Sequence, residues 1–273
     1  MSDPIDQLPP LREVIANAGL QATKALGQNF LLDLNLTRSI ARQAGGLNSI
    51  DVIEVGPGPG GLTRALLLEG ARSVHAVEYD TRAIAALQPL VEASTGRLHL
   101  HHGDALDVDV KQLGADGHRA IIANLPYNIA TPLLLGFLQN IDSISFMLLM
   151  FQQEVAQRIC ASSGTKAYGR LSVMSQYLCK TKIVKTLPPG AFTPPPKINS
   201  SVVHFVPCKA KDLPPFDVME RIVSAAFSQR RKMLRTTLKD YAGYLEAAGI
   251  DPTARAEDIP VANYVALARL AAS

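Results

Sequence analysis

From residue 52 to residue 151, short unbroken apolar runs alternate with longer amphipathic stretches, and this alternation limits the possible architecture more than any other feature of the chain. Residues 52–55, 74–78, 98–101, 120–123 and 144–151 read as strands, mostly of the continuous apolar kind that is covered on both faces. Residues 62–68, 81–91 and 132–138 have helical spacing. Pro132 falls near the start of the last, where the missing N–H has no partner to lose. Strand–helix repetition of this kind builds a mostly parallel sheet with helices on both faces, an α/β fold. Upstream, residues 11–20 and 34–44 also read as helices, separated by the break Leu26-Gly27-Gln28-Asn29-Phe30-Leu31. Downstream, residues 154–160 and 170–179 read as helices, and residues 182–186 and 201–206 as strands. Between these two strands, Ala191-Phe192-Thr193-Pro194-Pro195-Pro196-Lys197 forces a stiff extended excursion. The lysines and prolines between Pro207 and Pro215 read as a linker, and everything after residue 216 as helix.

A chain of 273 residues that is 47% hydrophobic and 19% charged can bury a sizeable core, either as one large domain or as one with a small companion. Net charge is only +3, so an anionic partner has to be met by a local patch. The opening Met1-Ser2-Asp3-Pro4 has neither the basic start nor the apolar run of a signal peptide. The longest apolar run, residues 144–151, falls well short of the roughly 20 residues a membrane helix needs, so no membrane partner is expected. Cys160, Cys179 and Cys208 are odd in number and far apart, which fits a reducing cytoplasm. His99, His101 and His102 lack a matching carboxylate or cysteine pattern, and no metal is expected.

Glu54-Val55-Gly56-Pro57-Gly58-Pro59-Gly60-Gly61 follows the first strand of the alternation and opens a helix. Glycines there let the backbone approach a ligand with no Cβ in the way. Glu78 ends the next strand about twenty residues further on, where a carboxylate accepts from ribose hydroxyls. A nucleoside therefore lies across the strand ends. Two readings of the glycines stay open: Gly56, Gly58 and Gly61 fit the dinucleotide fingerprint, and Gly56, Gly58 and Gly60 fit the G-x-G-x-G of S-adenosylmethionine enzymes. Gly103-Asp104 closes the third strand, which puts Asp104 beside the adenine edge.

The fourth strand runs into Asn124-Leu125-Pro126-Tyr127. Strand carboxyl ends face the ligand in open α/β sheets, so this turn faces the chemistry. An exocyclic amine of a base is a poor nucleophile because its lone pair is delocalised. Two acceptors for its hydrogens, Asn124 Oδ1 and the Leu125 carbonyl, would favour a more tetrahedral nitrogen and aim its lone pair. Pro126 fixes the bend, and Tyr127 offers a ring to stack on the base. The gain comes from orientation and fixed dipoles, with no strong base required. A base inside a duplex cannot reach such a pocket, so the substrate is single-stranded or flipped out.

The segments Leu26–Leu31, Glu54–Gly61, Asn124–Tyr127, Lys166-Ala167-Tyr168-Gly169-Arg170-Leu171-Ser172-Val173, Phe192–Lys197 and Gln229-Arg230-Arg231-Lys232 together resemble the bacterial small-subunit ribosomal RNA adenine dimethyltransferases, the kasugamycin-sensitivity methylases. The resemblance spans nearly the whole chain. It implies a Rossmann-like class I S-adenosylmethionine-dependent methyltransferase sheet in residues 1–208 and a small all-helical RNA- and ribosome-binding domain in residues 209–273. It implies transfer of four methyl groups to N6 of two adjacent adenines in the hairpin loop near the 3′ end of 16S rRNA, late in assembly of the small (30S) subunit. Asn29 and Leu31 would close over the S-adenosylmethionine. Gly56, Gly58 and Gly60 would form its cradle, with Gly56 on the methionine side. Glu78 would hold the ribose, Asp104 the adenine, and Asn124 the junction with the substrate. Phe192 would stack on the target base opposite Tyr127. Arg230, Arg231, Lys232 and Arg235 lie on an expected helix, with Arg231 and Arg235 on one face, and would contact RNA phosphates. A monomer is expected. A nucleotide-dependent oxidoreductase and a ribosome-assembly binding protein remain the competing classes.

Overall fold

A computed structural model describes residues 3–20, 28–208 and 212–272. Its elements, in chain order, are α1 (Leu11–Asn17), β1 (Phe30–Leu31), α2 (Leu34–Ala41), β2 (Asp51–Val55), α3 (Gly61–Leu68), β3 (Ser73–Glu78), α4 (Thr81–Ala93), β4 (Leu98–His102), β5 (Arg119–Asn124), α5 (Ala130–Gln139), β6 (Ile144–Gln152), α6 (Gln153–Ile159), α7 (Arg170–Gln176), β7 (Cys179–Leu187), β8 (Phe192–Thr193), β9 (Ser200–Pro207), α8 (Phe216–Ala226), α9 (Leu234–Thr237) and α10 (Val261–Ala272). Leu26 and Gly27 of the first quoted motif, and Lys209 to Lys211 of the expected linker, lie outside the described residues.

The main sheet has seven strands in the order β4-β3-β2-β5-β6-β9-β7. β2 pairs in parallel with β3 and β5, β3 with β4, and β5 with β6, whereas β9 runs antiparallel to β6. Chain direction thus reverses on one side of the sheet, unlike the all-parallel order of a dinucleotide-binding sheet. The parallel register brings the carboxyl ends of β2, β3, β4 and β5, at Val55, Glu78, His102 and Asn124, to one edge. β1 and β8 form a separate two-stranded sheet, with Leu31 opposite Phe192.

Every residue of β2 is buried, as its sequence Asp-Val-Ile-Glu-Val demands of a central strand. Val52, Leu66, Ile122 and Leu148 belong to one core cluster that the helices cover. Burial of each large aliphatic side chain contributes about 1.5–3 kcal/mol. Asp33 caps α2 by accepting from the N–H groups of Asn35 and Leu36, and Asp80 caps α4 through Arg82. α5 starts at Ala130, so Pro132 falls in its first turn, where its missing N–H is tolerated.

The chain divides into two compact units: Met1–Gln153 with Ile183–Phe205, and Glu154–Lys182 with Val206–Ser273. The expected division after residue 208 falls close to the last of these crossings, but residues 154–182 group with the C-terminal helices. In that second unit, Met219, Ile222 and Val223 of α8 and Tyr264 and Leu267 of α10 are buried. The hydroxyls of Tyr168 and Tyr264 donate to the carbonyls of Ile259 and Ala256. α7 ends at Gln176 instead of running to residue 179, because the Leu178 carbonyl accepts from the Cys208 N–H and commits the chain to the sheet.

The expected helix through the basic stretch is not formed. α8 stops at Ala226, and Arg230 to Lys232 form a turn. The N–H groups of Leu234 and Arg235 donate to the carbonyls of Ala254 and Pro252, so they cannot bond four residues back. Arg231 therefore precedes the four-residue α9 that holds Arg235, and the two share no helix face.

Candidate active site

A pocket opens at the carboxyl ends of β2, β3, β4 and β5. Asn29, Leu31, Gly56, Gly58, Glu78, Asp104 and the run Asn124 to Tyr127, all singled out in the sequence, line it. The glycine turn forms its base. Gly56 and Gly58 have φ of 67° and 52°, values that side chains disfavour. A Cβ on Gly58 would stand 2.8 Å from the Phe30 ring. The Gly56 N–H donates to the Val77 carbonyl, which ties the turn to β3.

Glu78 is buried behind this turn. Its Oε2 accepts from Gly58 N–H at 3.1 Å, and its Oε1 from Tyr79 and Asp80 N–H at 2.8 Å each. Burial raises its pKa while these three N–H groups pull the other way. They occupy three of the roughly four acceptor positions of a carboxylate, which leaves Oε2 room for one more donor.

Asn124 is the last residue of β5. Its Nδ2 donates to the Asn29 carbonyl at 2.9 Å, which fixes the amide orientation, and its buried Oδ1 has no partner among the described residues. An orphaned buried acceptor on a pocket wall is costly unless a ligand donates to it. Beyond it, the Tyr127 hydroxyl hydrogen-bonds the buried Ser200 Oγ, which holds the ring in place. Burial raises the Tyr127 pKa, so the phenol stays protonated at neutral pH.

Two expected contacts sit elsewhere. Gly60 (φ 88°) does not line the pocket: a Cβ there would stand 2.7 Å from Leu87 of α4, so that position serves helix packing. The wall glycine is Gly61, whose Cβ would lie 2.2 Å from the Leu31 carbonyl oxygen. Phe192 is 3% exposed, belongs to the core cluster and is absent from the pocket wall; it anchors β8 against β1. Of the basic residues, Arg230 is committed to Glu257 at 2.7 Å and to the Lys166 carbonyl. Arg231, Lys232 and Arg235 are exposed, with no ion pair among the described residues.

Among the lining residues given no role in the sequence, Tyr79 and Glu54 stand out. Tyr79 stands at the rim, 63% exposed, an aromatic directly after Glu78. Glu54 is 2% exposed, and its Oε2 has no partner among the described residues. Burial and the nearby charge of Glu78 push its pKa up to about 8. Away from the pocket, His75 of β3 lies 3.2 Å from His101 and stacks on His99.

The charge of the pocket decides between the two glycine readings. Glu78 and Asp104 line it beside Glu54, whose raised pKa keeps it mostly protonated at neutral pH, and no lysine or arginine does among the described residues. A dinucleotide would bring two phosphates to a wall of acids. The first turn of α3, where a pyrophosphate would sit, is instead covered by the Leu31 carbonyl. S-Adenosylmethionine is a cationic nucleoside, with a sulfonium and an ammonium. It fits a pocket with acids, no basic side chain among the described residues, and a glycine turn at its base.

Sheet order and pocket together define a class I S-adenosylmethionine-dependent methyltransferase. The profile described as ribosomal RNA adenine dimethylase matches residues 19–273. The ribosomal RNA small subunit methyltransferase A of Rhodospirillum rubrum is 54% identical over 98% of this chain and 97% of its own. The protein of the same description from Mesorhizobium japonicum is 56% identical over 96% and 98%. A dimethyladenosine transferase from Plasmodium falciparum, 24% identical, shares the fold with a TM-score of 0.71 over 84% of this chain and 93% of that one. The chain belongs to the ribosomal RNA adenine dimethylase family.

Proposed function

We propose that this enzyme transfers methyl groups from S-adenosylmethionine to N6 of two adjacent adenines in the 3′-terminal hairpin loop of 16S rRNA, four in all. It acts as a cytoplasmic monomer on the small (30S) subunit late in assembly. The observation that carries the reading is Asn124: its Nδ2 is tied to Asn29, and its Oδ1 is a buried acceptor awaiting a donor.

The cofactor, when bound, supplies an electrophilic methyl group on its sulfonium. Glu78 accepts one ribose hydroxyl at Oε2, Asp104 takes the adenine amine, and Leu31 closes over the glycine turn. Asn124 Oδ1 and the Leu125 carbonyl accept the two N6 hydrogens of a flipped adenine and aim the nitrogen lone pair. The methylated nitrogen is acidic and loses its extra proton to water, so one hydrogen remains and one acceptor suffices for the second transfer. Tyr127 holds one face of the base. The buried position of Phe192 favours a supporting role, bracing the arm beside Leu31. Arg231, Lys232 and Arg235 neutralise RNA phosphates, while Arg230 braces their turn.

The test is methyl transfer from tritiated S-adenosylmethionine to small subunits lacking the modification, with large subunits and naked 16S rRNA in parallel. Label in N6,N6-dimethyladenosine from small subunits supports the reading. Label on large subunits alone, or none anywhere, overturns it.

A further inference from the structure

A second cleft, of about 440 Å³, lies between α1 and α4, on the far side of Pro59, which also lines the cofactor pocket. Val14, Ala18, Ala86 and Leu90 give it apolar walls, and Arg64 of α3 lines it. Arg64 is 7% exposed. Its Nη1 donates to the Pro9 carbonyl at 2.8 Å, and its buried Nε has no partner among the described residues. No carboxylate lines the cleft among the described residues. Arg82, at the same cleft, has its charge taken up by Asp80 at 2.6 Å. Arg64 is thus the uncompensated charge.

The chain's other buried arginine shows what a purely structural guanidinium looks like here. Arg119 donates to the carbonyls of Leu113, Lys111 and Gly114 and pairs with Asp116. Every nitrogen of that group is used. A buried cation without an anion is costly, and a ligand carrying a negative charge removes the cost. One charge set among aliphatic walls selects a monoanion with an apolar body over a strongly hydrated phosphate.

We infer that the cleft lined by Arg64 binds a small carboxylate with a hydrocarbon body, its carboxylate on the Arg64 guanidinium and its chain along α4. The site is independent of the methyl-transfer reading. The probes are octanoate, octanol and inorganic phosphate, titrated against the full chain by calorimetry and thermal shift. Octanoate is expected to bind saturably and raise the melting temperature, and the other two are not. Arg64→Met is expected to weaken octanoate binding about tenfold or more, the scale of a charge-assisted hydrogen bond. Should Arg64→Met not fold, Ala86→Phe fills the cleft from the other wall, keeps the charge, and is expected to abolish binding equally. No saturable octanoate binding, equal binding of octanol, or binding that survives the substitutions would overturn the inference.

Discussion

Single side chains in this molecule divide by whether their hydrogen bonds are already used. Arg230 and Arg231 are sequence neighbours with opposite standing. Arg230 is held by Glu257 and the Lys166 carbonyl, whereas Arg231 is exposed and has no ion pair among the described residues. Arg230→Met is therefore expected to lower the melting temperature with a small effect on RNA affinity. Arg231→Met should leave the melting temperature in place and reduce the slope of log affinity for small subunits against log salt by about one. A melting scan and a salt titration of both variants check this, and an exchange of the two phenotypes would refute the assignment. Glu54 differs again, as a buried acid whose pKa stands at about 8 against an ordinary 4.5. The folded chain binds that proton more tightly than the unfolded one. Its contribution to stability is complete below pH 4.5 and is lost as pH rises through 8. Glu54→Gln cannot lose it, so its melting temperature should gain on the wild type between pH 6 and pH 9.

Among elements, those written in one local pattern were legible in the sequence. The five strands of the alternation and the helices between them follow from apolar periodicity, and the glycine turn from its own composition. What stayed hidden depends on partners distant in the chain. The helix expected at Arg230 is undone by carbonyls of Pro252 and Ala254, and Phe192 faces the core because Leu31 pairs with it. Gly60 faces away from the pocket because α4 packs on it, and Gly61 takes the pocket wall beneath β1. Gly61 is helical, where alanine is ordinarily favoured by close to 1 kcal/mol. Here its added methyl would meet the Leu31 carbonyl at 2.2 Å. Gly61→Ala is thus expected to be destabilising by about 1–3 kcal/mol, as overpacking is, and to weaken cofactor binding by displacing β1. Unchanged melting and unchanged affinity would show that β1 does not sit against α3.

At the scale of the whole molecule, the acid limit of stability is set partly by His75. Burial, with His99 and His101 beside it, lowers its pKa to about 4. The unfolded chain takes up that proton first, so stability falls as pH drops from 6.5 toward 4. His75→Gln should flatten that limb of a plot of melting temperature against pH. The catalytic account joins elements from across the chain: β5 supplies Asn124, and the segment before β1, far away in sequence, supplies the carbonyl that orients it. Its central claim is that Asn124 Oδ1 acts on the target nitrogen during transfer more than on the cofactor at rest. The most direct test is Asn124→Ala, with the single-turnover rate of methyl transfer to small subunits measured beside the dissociation constant for S-adenosylmethionine. The rate should fall by about a hundredfold or more, the scale of losing one oriented dipole at a reaction centre, with cofactor affinity changed only a few-fold. A rate within a few-fold of the wild type, or a loss explained wholly by weaker cofactor binding, would contradict it.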